Sequence, residues 1–293
     1  LEQDNTVPAS KRAITARRAR HSDCGESLLS FSSQFGRQDS LSTTGLLIHL
    51  LRVKQRRQHA ENLLKLLPFS TSILPAVDGR LLSKRECQAF YQRQLHQPFY
   101  PFELTSAEIG CFLSHRKAWQ AIVDQNIDIA FVIEDDIELD DDFYRGLALA
   151  LAHMGPDDLI RFPMRRGREN GRQIVKAGKI ALIEPNCPGL GMGAQLITRG
   201  AAIKLLKATE QVDRPVDVFL QMFWLTGVIP KSVTPSGVHE ISGSLGGSTL
   251  RQRKPVLQKC IHEILRPLYR RRIKRLARLA GRRRIPSSDV GAR

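Results

Sequence analysis

The chain has 293 residues, 42% of them hydrophobic, and a formal charge of +16. That is room for one large α/β domain or two small ones around a substantial core. The charge is uneven: residues 1–40 carry 6 basic and 5 acidic groups, residues 41–250 carry 24 and 22, and residues 251–293 carry 15 and 2, which argues against a nucleic-acid-binding body and puts the cationic character in a tail.

Residues 1–40, rich in Ser, Arg and Gln without a sustained period, read as a poorly ordered extension. From Thr43 the run GLLIHLL predicts a buried strand, and VKQRRQHAENLLKLL predicts a helix with apolar spacing at Leu63, Leu64 and Leu67. ILPAVDGR, Ile73 to Arg80, predicts a second strand ending in an Asp-Gly turn. The clearest helix is LTSAEIGCFLSHRKAWQAIVDQN, where Thr105 and Glu108 have capping-box spacing and Ile109, Phe112, Trp119 and Ile122 recur at helical intervals.

That helix feeds IDIAFVI, an apolar strand that stops abruptly in Glu134, Asp135 and Asp136. Three adjacent carboxylates repel one another, and at the end of a buried strand they need a positive partner. Side chains two apart on a strand share a side, so Glu134 and Asp136 are expected to face one ligand while Asp135 points elsewhere. Hard oxygen donors of this kind favour Mg²⁺ or Mn²⁺ with a phosphate completing the shell; the plainer reading is that the acids cap the following helix.

Asp140 to Asp142 mark a helix start ahead of FYRGLALALAHM. DLIRF and KIALIEP predict strands flanking a basic loop, MRRGRENGR, and GLGMGAQLITRGAAIKLLKAT predicts a glycine-rich approach, a strand and a helix. RPVDVFLQMFWL opens another helix behind Pro215, and GVIPKSVTPSGV is a last strand region broken by prolines. Alternation of this kind predicts a mainly parallel sheet with helices on both faces, occupying residues 41–250. In such sheets ligands gather at the strand carboxyl ends, where the acidic triplet falls. GLGMG precedes a strand, so it is not a dinucleotide or P-loop fingerprint. Trp119 and Trp224 lie in helical apolar patterns and are assigned to the core.

The tail, residues 251–293, carries apolar side chains at Leu257, Ile261, Ile264 and Leu268, then Tyr269, Ile273, Leu276 and Ala280, with Pro267 expected to split it into two helices. A cationic amphipathic segment suits an anionic membrane surface. Nucleic acid is not an expected partner, because the stacking aromatics that single strands require are missing apart from Tyr269. Five scattered cysteines without CxxC spacing suit a reducing compartment, and no stretch approaches the roughly 20 apolar residues of a membrane span. The expectation is a cytoplasmic protein, peripheral on the inner membrane.

AVDGR (76–80), LTSAEIGCFLSHRKAW (104–119), FVIEDDIELDDDF (131–143) and, more weakly, GAQLITRGAAIKLL and PVDVF occur in the order and spacing of a known family. The chain resembles the bacterial glycosyltransferases of family 25, which build lipooligosaccharide cores and are related to the collagen galactosyltransferases. The resemblance implies a GT-A-like fold, a UDP-hexose donor, a divalent Mn²⁺ or Mg²⁺ ion at the acidic motif, and inversion at the anomeric carbon. With the cationic tail on a membrane, a lipid-linked oligosaccharide acceptor would be presented to the site. The family's first strand commonly ends in Asn-Leu, where His49-Leu50 stands here, and its sugar-binding strand often has an aromatic where Gln195 or Leu196 stands.

Roles follow as expectations. Asp136 and Glu134 hold the metal, with His239 as a late ligand; Glu134 or Asp135 holds ribose or cation, and Asp135 is counted among the catalytic groups. Asp217 is the base on the acceptor side, or else caps its helix. Asp78 takes a ribose hydroxyl or the uracil edge, or stabilises its turn. Glu108, Ser114 and His115 touch donor sugar or phosphate if the helix N-terminus faces the site, the alternatives being a capping-box glutamate and a satisfied histidine. The rival activity for the same acidic cluster is a metal-dependent phosphodiesterase or nuclease on a polyanion.

Overall fold

A computed structural model of the chain describes residues 43–164, 169–247 and 256–282, with side chains described for residues 263–281 of the last segment. The 1–40 extension, part of the basic loop (residues 165–168), and the side chains of Leu257 and Ile261 lie outside the described residues.

The apolar runs form one eight-stranded sheet. β1 (Thr43–His49), β2 (Thr71–Pro75) and β3 (Ile129–Glu134) pair in parallel in the order β2-β1-β3. β8 (Ala194–Thr198) joins β3 antiparallel, β5 (Leu159–Arg161) and β9 (Pro230–Thr234) follow as a parallel pair, and β7 (Ile180–Pro185) with β6 (Gly171–Ala177) forms an antiparallel edge. The sheet is mixed but mostly co-directional, since only β8 and β7 run against the others. β6 lies partly in what reads as the basic loop. Its side chains are exposed or half-buried, so it is held by backbone pairing to β7 and leaves little hydrophobic signal.

Helices cover both faces. α1 (Lys54–Leu66) turns Arg56, Ala60 and Leu63 inward, a spacing of four and three that aligns one face. α2 (Lys84–Phe90) is capped by Ser83, and α3 (Ser106–Asp124) buries Ile109, Phe112, Trp119 and Ile122. The Thr105–Glu108 capping box is formed in both directions. Thr105→Ala should therefore cost about 1 kcal/mol in denaturant unfolding; an unchanged midpoint would mean that the cap contributes nothing. α4 (Asp141–Ala152) is capped by Asp140, and α5 (Arg199–Ala208) by Thr198.

Three expectations change. Strand β2 ends at Pro75, because β1 ends opposite at His49 and offers no ladder beyond it; Val77 N–H then bonds the Ser114 hydroxyl instead. The RPVDVFLQMFWL segment forms two short helices, α6 (Val216–Leu220) and α7 (Phe223–Thr226). The tail is one helix, α8 (Val256–Arg282), running through Pro267. It also packs on the body: Tyr269 and Ile273 belong to the core cluster, and Ala277 is buried as well. Fully buried Arg214 fixes this docking, donating to Asp213 and, at 2.6 Å, to the Tyr269 hydroxyl. Buried apolar area of this kind stabilises at about 25 cal/mol per Å². Among the described residues no helix is long and apolar enough to cross a membrane.

Candidate active site

β3 delivers Glu134, Asp135 and Asp136 to the carboxyl edge of the sheet. The positive group they need is supplied by the protein. Arg56 Nη1 donates to Asp135 at 2.8 Å and to Asp136 at 3.1 Å, and its Nη2 donates to the Gly247 carbonyl at 2.7 Å. His49 Nδ1 lies 2.6 Å from the other Asp135 oxygen. Asp135 is thus 5% exposed, with both oxygens engaged. The side chain placed among the catalytic groups is a buried anchor for α1 and β1, and His49 fills the position where the family commonly has Asn.

Glu134 and Asp136 face open space. The Asp136 carboxyl is pushed up to about 7, first by burial and then by the Glu134 charge, with Arg56 pulling the other way. Glu134 accepts from His115 Nε2 at 3.0 Å, and Gln195 Nε2 donates to His115 Nδ1 at 3.3 Å. His115 is buried between them, so the polar Gln195 at the usual aromatic position serves to orient a histidine.

Two clefts meet at this acidic seam, and Cys111, Glu134 and Asp136 line both. The first, about 310 Å³, lies between the β1 and β2 ends and the N-terminus of α3, with Arg52, Asp78 and Arg80 on its walls. Asp78 pairs with Arg52 at 2.6 Å and accepts from the Arg80 amide at 3.1 Å. Glycine makes this floor: a Cβ on Gly79 would stand 1.9 Å from the Ser106 carbonyl, and one on Gly110 2.7 Å from the Gly79 nitrogen. Ser114 lines the same cleft, but its hydroxyl donates to the Gly110 carbonyl and accepts from Val77, so it ties α3 to the loop after β2.

The second cleft, about 370 Å³, opens on the other side, lined by Tyr100, Glu108, Asp217, Glu240 and the α8 residues Arg266 and Arg270. Asp217 accepts from Gly191 N at 3.0 Å and Val218 N at 2.8 Å, and burial raises its pKa despite these bonds. Gly191 takes φ +95°, a conformation natural to glycine, to present that amide. Glu108 closes its capping box while standing on the cleft wall.

His239 is not at the seam. It lies on β10 (Val238–Glu240), which pairs with β4 (Ile137–Leu139), and its Nε2 is 2.7 Å from Asp140. Side chains alternate along a strand, so the next residue, Glu240, takes the cleft-facing place. Among the described residues, one group of three potential metal ligands has its donor atoms within 4.8 Å of one another: Cys111, His115 and Glu134. Burial pushes the Cys111 thiol well up, so this corner is a neutral thiol and an imidazole beside hard carboxylates. Glu134 and Asp136 offer hard oxygen donors that line both clefts, the donor type a divalent cation takes, with Arg56 and His115 each already engaging one of them.

Sequence reasoning missed Arg52, Arg80, Tyr100, Glu240, Arg266 and Arg270 as cleft residues. Only Tyr100, in the aromatic PFYPF stretch before α3, leaves a local signal.

Two clefts joined through half-buried carboxylates at the carboxyl edge of an α/β sheet have the form of a two-substrate site, as group-transfer enzymes have. The profile of Glycosyltransferase family 25 (LPS biosynthesis protein) matches residues 43–220, and the chain belongs to that family. It is 32% identical over 187 residues to a Glycosyltransferase 25 family member of Drosophila pseudoobscura pseudoobscura, a match covering 61% of this chain and 29% of that protein. It is 31% identical over 188 residues to procollagen galactosyltransferase 1 of Danio rerio (61% and 31%), and 32% identical over 188 residues to procollagen galactosyltransferase 2 of Mus musculus (60% and 30%). The chain thus spans less than a third of these relatives' length. A solved structure, mannose-1-phosphate geranyltransferase from Thermus thermophilus, is similar at TM-score 0.30 and 12% identity over 58% of this chain and 62% of that one, too distant to carry an argument.

Proposed function

We propose that this chain is an inverting, metal-dependent hexosyltransferase that moves galactose or glucose from a UDP-linked donor to a saccharide acceptor. The observation that carries the reading is the seam: one cleft with arginines and a helix N-terminus, another with a half-buried carboxylate, sharing Glu134 and Asp136. The donor's diphosphate belongs on the first side, where the amides of α3 and Arg52 and Arg80 favour negative charge. Mn²⁺ or Mg²⁺, when bound by Glu134 and Asp136, would neutralise charge on the leaving diphosphate. Asp217, on the second side, takes the proton of the incoming acceptor hydroxyl, as inversion by a single displacement requires. His115 holds Glu134 in place. The relatives' names favour galactose over glucose.

The acceptor we propose is a lipid-linked oligosaccharide, met at an anionic membrane. The outward face of α8 supports this with Arg271, Lys274, Arg275 and Arg278 along one groove. Each basic group near such a surface adds about 1 kcal/mol, so replacing all four with Gln should lower partition onto phosphatidylserine vesicles by at least about tenfold in sedimentation assays. Unchanged partition would remove the tail from membrane binding. For the activity, UDP release from UDP-galactose and UDP-glucose is measured with and without manganese. Manganese-dependent release is expected; metal-independent turnover, or cleavage of a polynucleotide without nucleotide-sugar turnover, would contradict the proposal.

A further inference from the structure

The second cleft has two walls of opposite charge. On one side stand Glu134, Asp136, Asp217 and Glu240; on the other, α8 presents Arg266 and Arg270. The two arginines are four residues apart and so share a helix face. Both are exposed, and among the described residues neither meets a carboxylate at ion-pair distance. Their position is held. Tyr269, between them, is buried, bonded to Arg214 at 2.6 Å and packed edge-on against Tyr100 at 5.3 Å, while Arg266 lies over the Phe102 ring at 5.9 Å.

The helix is basic at many exposed positions, and Arg266 and Arg270 are the two of its arginines that line this cleft. Cations held opposite the acceptor-side carboxylate suit a substrate that carries a hydroxyl at one end and an anion at the other. We propose that Arg266 and Arg270 bind an anionic group, a phosphate or a carboxylate, on the sugar acceptor, so that this enzyme selects acidic saccharides and α8 is part of its acceptor site. The inference rests on the transferase reading for the word acceptor, although binding can be measured without turnover. The same charges could meet the donor's diphosphate; the first cleft, with its own arginines and helix amides, makes the acceptor the source we favour.

The test uses methyl glucoside and methyl glucuronide, which differ by one carboxylate, with the 293-residue chain and its Arg266→Gln/Arg270→Gln variant. Binding is followed by saturation-transfer NMR, and uridine diphosphate with manganese by calorimetry. Wild type should bind the glucuronide about tenfold more tightly than the glucoside, and the variant should lose that preference. Arg270→Gln alone, which leaves the Arg266–Phe102 contact intact, should lose part of it with an unchanged Tm. Equal affinity of wild type for both glycosides, or a preference that survives in the double variant, overturns the proposal. Weaker uridine diphosphate binding in the variant would assign the arginines to the donor and overturns it too. Failure of nucleotide-sugar turnover would sink the transferase reading while leaving the glycoside preference standing.

Discussion

Asp217→Asn is expected to lower hexose transfer by roughly 10²–10⁴-fold, the contribution of a positioned general base. The carboxylate is half-buried on the second cleft, and its two oxygens are aimed by Gly191 and Val218 amides. Those bonds lower its pKa, but burial outweighs them and leaves it raised, which suits a base working near neutrality. Two results separate catalysis from folding. Uridine diphosphate with manganese should bind the variant as it binds wild type, because the cleft proposed for the nucleotide is the other one. An amide loses one of the two backbone N–H bonds but also sheds the burial penalty on the charge, so the two effects oppose and the variant is expected to stay folded by circular dichroism. In wild type, transfer should fall on acidification with a midpoint above the ordinary carboxylate range. Retention of transfer by the variant would return Asp217 to helix capping.

The second large effect is on stability, at Asp136. Its folded pKa of about 7 stands well above the 3.8 of an ordinary aspartate, so the fold favours the protonated acid. Below about pH 4 both folded and unfolded chains hold the proton and no penalty applies. As pH rises from about 4 to 7 the unfolded chain releases its proton first, and the folded state loses stability over that range. Asp136→Asn should therefore raise the midpoint of denaturant unfolding near pH 8 and leave it unchanged near pH 4. Manganese, binding only the folded state, should stabilise wild type near pH 8 and lose that effect in Asp136→Asn. An equal response of both proteins to manganese would move the ion elsewhere.

The parts legible in the sequence are those whose physics is local. The Thr105–Glu108 capping box, the apolar face of α3 and the carboxylates closing β3 are each written within a few residues. The partner of the acidic triplet is not. Arg56 lies 79 positions from Asp135 and His49 lies 86 away, so a triplet that reads as wanting a cation gives no hint that an arginine already serves one member. The choice between His239 and Glu240 depends on the register of β10 against β4, which alternation cannot fix until the pairing is known. The tail is the clearest case. An apolar stripe on a cationic helix reads the same whether its partner is lipid or the protein's own core. What decides is Arg214, buried beneath Tyr269, with Tyr100 and Phe102 packed around. Once α8 is docked, the two arginines it carries become cleft residues, a placement no spacing rule announces.

The direct measurement is a crystal structure of the protein with uridine diphosphate and manganese. The nucleotide is expected between Arg52, Asp78 and the start of α3, with its diphosphate turned toward Glu134 and Asp136 and the Asp217 cleft left open for a sugar. Nucleotide seated against Arg266 and Arg270 instead, with both carboxylates away from the metal, would contradict it.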